Sequence, residues 1–142
     1  MRVAATLRRG RGVEAPVATH LNLPEHYLEG VQLFNAGQYW HAHEAWEDAW
    51  KAEQDATHRL FYKGIIQTAA ALVHWQRGNP RGLRLNWAKA RPKLAQLPEI
   101  VLRLDIPGLI VAMDHFEAIQ GVGRDPPRLE LSGRDAPRPS SG

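Results

Sequence analysis

Between residues 24 and 120 the apolar residues recur every three or four positions, the period of a helix and not the alternation of a strand. Five segments follow this rule. The first opens at Pro24, a favoured first-turn residue, and runs to Ala36 through Tyr27, Leu28, Val31 and Phe34, with Gly37 as its stop. The second spans Tyr39 to about Glu53, and the third Thr57 to about Arg77 with Gly78 behind it. Asn79-Pro80, a cap followed by a first-turn proline, opens the fourth, whose stripe is Leu83, Trp87, Ala90, Leu94 and Leu97. Pro92 lies within that stripe and is expected to kink or break the helix near Ala88. Asp105 can cap the fifth, with Leu109, Ala112, Met113, Phe116 and Ile119 facing inward. The third segment is apolar around most of its circumference, which marks it as the central, buried helix. No segment reads convincingly as a strand, so the expected fold class is all-α: a compact bundle of about five helices built from helix hairpins.

The ends of the chain break the pattern. Residues 121–142 hold four Pro, four Gly and three Ser with no apolar period, and are expected to form a disordered tail. Residues 1–21 are expected to be a flexible arginine-rich arm, leaving 22–120 as a single helical domain. With 142 residues and 44% hydrophobic content the chain can form one core without staples. The absence of cysteine excludes disulfide frameworks, thiolate metal sites and cysteine nucleophiles. No run is apolar and long enough to span a bilayer, and the first twenty residues lack a secretory apolar core, so no membrane partner and a cytoplasmic location are expected.

Charge refines this picture. The net charge of +3 suggests a nucleic-acid binder until it is divided along the chain. Residues 22–55 carry seven acids against Lys51 alone, and residues 56–98 carry eight bases and no acid. Arg77, Arg81, Arg84 and Arg91 would form a basic helical face open to phosphates. Acidic and basic helices lying side by side account for the same segregation, and nucleic acid is not the expected partner.

The chemistry-bearing residues concentrate on the second helix, Tyr39-Trp40-His41-Ala42-His43-Glu44-Ala45-Trp46-Glu47-Asp48-Ala49-Trp50. His43 and Glu47, four apart, share a stripe with Trp40 and Trp50, and ionisable groups set among aromatics need partners. Partners are available on the third helix, where Gly64, Gln67, Ala71 and His74 keep the spacing of one face. The economical arrangement sets His43, Glu44 and Glu47 against Gln67 and His74, in a buried polar seam between the two helices. A metal could use His43, Glu44 and Glu47, although the His-Glu-x-x-His spacing of zinc helices is incomplete here. A carboxylate beside a histidine could also serve as a general acid or base. A network that satisfies itself is the plainest reading.

The run Gly37-x-Tyr39-x-x-Ala42-x-x-x-Trp46-x-x-Ala49 is similar to one tetratricopeptide unit, but no second unit follows in register. A wider pattern is more specific. Phe34-Asn35-x-Gly37-x-Tyr39-Trp40-x-x-His43-Glu44-x-Trp46-Glu47-x-x-Trp50, then Phe61-x-x-Gly64-Ile65-Ile66-Gln67-x-Ala69-Ala70-Ala71, His74 and Gly78-Asn79, resembles the domain of unknown function 309 family. The resemblance covers about residues 24–118 and implies a small all-helical prokaryotic protein with no established activity. It also implies that His43, Glu44, Glu47, Trp50 and Gln67 occupy signature positions. Position 41, often acidic in that family, is His here.

These observations favour an interaction module whose ligand, a small molecule or a protein, is unknown. The alternative is a metal-dependent or acid–base enzyme using His43, Glu44 and Glu47, and a second is weak nucleic-acid association through the basic face. No cofactor is expected, although a divalent metal suits the side chains, and a homo-oligomer is compatible with the pattern.

Overall fold

Local signals set the helix ends seen in the computed structural model, which describes residues 23–133. The arginine-rich arm expected at 1–21 and the last part of the expected tail, 134–142, lie outside the described residues. Helix α1 spans Glu25–Asn35, α2 Tyr39–Ala52, α3 Ala56–Gln76, α4 Pro80–Ala95 and α5 Ile106–Ala118. The Asp55, Asn79 and Asp105 side chains accept from the backbone N–H groups of His58, Gly82 and Gly108, capping α3, α4 and α5. Gly37 and Gly78, with φ of +78° and +72°, let the chain turn left-handed after α1 and α3. The all-α expectation and its five helices therefore hold.

Each helix packs on the next, and α3 lies between α2 and α4. Phe61, Tyr62, Ile65, Ala69 and Leu72 of α3 are buried, as expected of the central helix. Around them sit Tyr27, Phe34, Trp46, Leu83, Trp87, Leu94, Met113 and Phe116. Trp46 donates its indole N–H to the Tyr27 carbonyl, and the Tyr27 hydroxyl donates to the Leu102 carbonyl.

Four features depart from the sequence reading. Helix α4 runs unbroken through Pro92. Ala88, whose carbonyl loses its partner to the proline, is exposed, as is Pro92, so water can replace the missing bond. Ile119, expected to face inward, is partly exposed just past the end of α5. A small antiparallel hairpin precedes α5: β1, Ile100–Val101, pairs with β2, Leu104–Asp105. Its two-residue turn holds Leu102 and Arg103 at φ of 48° and 66°, in the left-handed region that side chains other than glycine rarely adopt. Two-residue strands are too short to show alternation.

The last departure concerns the residues beyond α5, assigned to the tail by composition. Leu129 is only 3% exposed, Leu131 packs against the core, and Leu131 forms an antiparallel bridge with Leu104. Two leucines separated by one residue carry no helical period, and their anchors lie far away in sequence.

Candidate functional site

Helices α2 and α3 run antiparallel around a turn of three residues, and their shared flank carries most of the singled-out side chains. At the turn end, the Arg59 guanidinium and the Lys63 ammonium lie 4.3 and 4.5 Å from the centre of the Trp50 ring. Arg59 also donates to the carbonyls of Trp50 and Glu53, satisfying the last turn of α2. From there the helices carry the flank upward together. His43 precedes Trp50 by seven residues, a rise of about 10.5 Å, and Gln67 follows Lys63 by four and Arg59 by eight, about 6 and 12 Å. His43 and Gln67 therefore come to about the same level on adjoining helices.

The His43 ring is stacked on Trp40, with centroids 5.0 Å apart and planes 12° from parallel. Its Nδ1 is buried and has no hydrogen-bond partner; the nearest carboxylate oxygen, Oε1 of Glu47, is 3.9 Å away. The Oε1 of Gln67 is likewise buried and unpartnered. The expected mutual satisfaction of His43 and Glu47 is therefore not made as a hydrogen bond. Nor are the two equally buried: His43 is 17% exposed, Glu47 47% and Trp40 49%. The flank is half open, whereas the sequence suggests a buried seam.

Two proposed members do not join it. Glu44 is exposed, because it sits one position, about 100°, around the helix from His43. His74 bonds through Nδ1 to the Asn79 side chain, and a Cβ added at Gly82 would meet its ring, so it belongs to the corner between α3 and α4. The small-residue notch also faces the other way. A Cβ at Gly64 would lie 2.6 Å from Leu94, so the close approach there is with α4. Among the described residues no three His, Cys, Asp or Glu side chains come together as a metal-holding group. His43, Glu44 and Glu47 thus do not converge as the metal reading requires.

Of the basic face, Arg77, Arg81 and Arg84 are exposed. Arg91 instead makes a bidentate pair with Asp114 of α5, at 2.8 to 3.1 Å, and Trp87 donates to the same carboxylate. The Arg91 hydrogen bonds hold the Asp114 carboxyl below the usual carboxylate range; partial burial opposes them and the Trp87 bond assists.

Sequence reading passes over two features near the flank. Tyr62, taken as plain core, has a buried hydroxyl without a hydrogen-bond partner, and burial, then the charge of Glu53, push its pKa far above the usual phenol range. Arg59 and Lys63, four apart and just across the turn from Trp50, carry the signal of a cation–aromatic stack.

Fold and flank together define a small all-helical protein with a half-open polar and aromatic surface on one helix hairpin. No curated protein matches the chain. Residues 27–85 match the family described as domain of unknown function (DUF309), the family that the motif residues resemble. His43, Glu47, Trp50 and Gln67 all fall within the matched segment, and no helix among the described residues is long and apolar enough to cross a membrane.

Proposed function

We propose that this chain is a binding module whose ligand lies along the α2/α3 flank, over Trp40, His43, Glu47 and Gln67. One observation carries the reading. Two polar atoms, Nδ1 of His43 and Oε1 of Gln67, are buried without hydrogen-bond partners, and the Trp40 ring stacked on His43 is left half exposed. A buried polar group without a partner costs folding free energy, and such groups are kept where something other than the fold uses them. The ligand that suits them donates a hydrogen bond to Gln67, exchanges one with the His43 imidazole, and lays a flat or apolar part on Trp40.

Folding stability tests the proposal without knowledge of the ligand. Gln67→Met keeps the length of the side chain and removes the unpartnered acceptor. The variant should be as stable as the wild type or more stable, by up to about 1 kcal/mol in urea denaturation. A loss of more than about 1 kcal/mol would mean that the fold itself uses the Gln67 amide, and would remove the ground for a ligand there.

A further inference from the structure

The α2/α3 flank holds a negative charge that neither helix balances. Glu47 is half exposed, and no lysine or arginine of the described residues pairs with it; its ionisable neighbour is His43, at 3.9 Å. The cations of α3 lead away from this corner. Lys63 precedes Gln67 by one turn, and helical side chains lean toward the N-terminus of their own helix, so its ammonium rests with the Arg59 guanidinium on Trp50. The surrounding surface is acidic. Glu44 and Asp48 of α2 and Glu25 and Glu29 of α1 are exposed, and Lys51 is the one lysine or arginine on these two helices.

The atoms left without partners here are acceptors. Oε1 of Gln67 only accepts, and Nδ1 of His43 accepts when the imidazole is neutral with its hydrogen on Nε2. With the Glu47 carboxylate they make three acceptors, one of them charged. An anion would meet Glu47 and find no free cation in the corner. A neutral donor would satisfy the two orphaned atoms and leave the charge unbalanced. A cation with several N–H groups satisfies all three. The hairpin already shows that combination at its turn end, where two cations lie on Trp50 and Arg59 also donates to backbone carbonyls. Trp40 is the indole of the open end: half exposed, stacked on His43, with no described lysine or arginine over its ring.

We infer that the ligand of the flank is an organic cation, a guanidinium or a primary ammonium on an aliphatic stem; this rests on the binding reading above and adds the class of ligand. The cationic head sits among the Glu47 carboxylate, Nδ1 of His43 and Oε1 of Gln67, and the stem lies along Trp40. Glu47 supplies the counter-charge, and hydrogen bonds to a charged group are stronger than those between neutral ones. The two orphaned acceptors give the head its direction. The acidic surface of α1 and α2 draws cations toward the site, an attraction that salt weakens. A free amine or guanidine and an arginine or lysine side chain of a protein carry the same head.

The test titrates the full chain, isotope-labelled for nuclear magnetic resonance, with agmatine and with a blocked glycine–arginine–glycine peptide. The Trp40 indole N–H and the Gln67 side-chain amide report binding. At least one of the two cations should move both signals saturably. Tighter binding of agmatine assigns a free cation, and tighter binding of the peptide a side chain of a protein. The same peptide with citrulline in place of arginine keeps the shape and loses the charge, and should bind about tenfold more weakly or worse. Glu47→Gln, a change of charge at a half-exposed position, should weaken the cations about tenfold and leave the citrulline peptide as it was. Equal affinity for the citrulline peptide, or cation binding that Glu47→Gln does not alter, would overturn the inference and leave the flank to a neutral ligand. No movement of either signal with cations at tens of millimolar would overturn it as well. Neither result touches the flank reading itself, which fails separately if Gln67→Met is destabilised; that result would end both.

Discussion

Two glycines show how far a single missing Cβ shapes this bundle. Gly30 is buried on α1, and a Cβ there would run into the indole of Trp46, whose N–H bonds the Tyr27 carbonyl one turn earlier on the same helix. Gly30→Ala should push that indole away, weaken the bond and cost about 1–3 kcal/mol, read as a lower urea midpoint with an unchanged slope. An unaltered midpoint would show that the indole moves aside freely. Gly64 illustrates what residue types can and cannot announce. Its small size does mark a close helix approach, but spacing along one helix does not say which neighbour comes close, and the neighbour is α4 through Leu94. The same ambiguity assigns His74 to the wrong corner. Its place is decided by Asn79, five residues on, and not by α2.

Helix α4 is joined to α5 through one carboxylate. Asp114 receives Arg91 and Trp87 together, so part of what reads as a basic surface in the sequence is spent on a pair inside the bundle's rim. Because the folded-state pKa of Asp114 is lowered, its contribution is complete above the unfolded carboxylate pKa near 4 and is lost as pH falls through the folded value. Asp114→Asn should therefore lower the melting temperature at pH 7, and the gap to the wild type should close below about pH 4. The pair is partly exposed, so the loss at neutral pH should not exceed about 1 kcal/mol. A gap that does not shrink as pH falls below about 4 would assign the effect to packing. The helices themselves are legible in the sequence to within a residue or two, and four of them carry a cap or a stop: Asn79 and Asp105 at the starts of α4 and α5, Gly37 and Gly78 after the ends of α1 and α3. The hairpin at 100–105 is not legible. Its turn uses Leu102 and Arg103 in a conformation that their side chains disfavour, held in part by the Tyr27 hydroxyl on the Leu102 carbonyl, a contact 75 residues away.

For the molecule as a whole, the matched family segment and the folded body do not end together. The match stops at residue 85, inside α4, whereas Trp87, Ala90 and Leu94 of that helix are buried in the common core and Trp75 packs on Phe116 of α5 at 5.1 Å. A chain cut after residue 85 should therefore fail to fold cooperatively, with a helical circular dichroism signal that decays gradually on heating; a sharp two-state melt would show that α1–α3 suffice. The candidate flank is legible only in part for a related reason. The residue types on α2 and α3 reveal that His43, Glu47, Trp50 and Gln67 share a side. How open that side is depends on what α1 and α4 leave uncovered, and periodicity within two helices does not report it.

The Asn35 side chain clamps the buried Leu129 by hydrogen bonds to its backbone carbonyl and N–H, and the clamp has a meaning in time. Helices α1 to α4 meet mainly their sequence neighbours, and contacts of that kind form early and fast. Closing the clamp joins residues 94 apart, a loop whose ordering costs more entropy. The clamp should therefore close after the helices have met, as a slower phase of refolding than the helical signal.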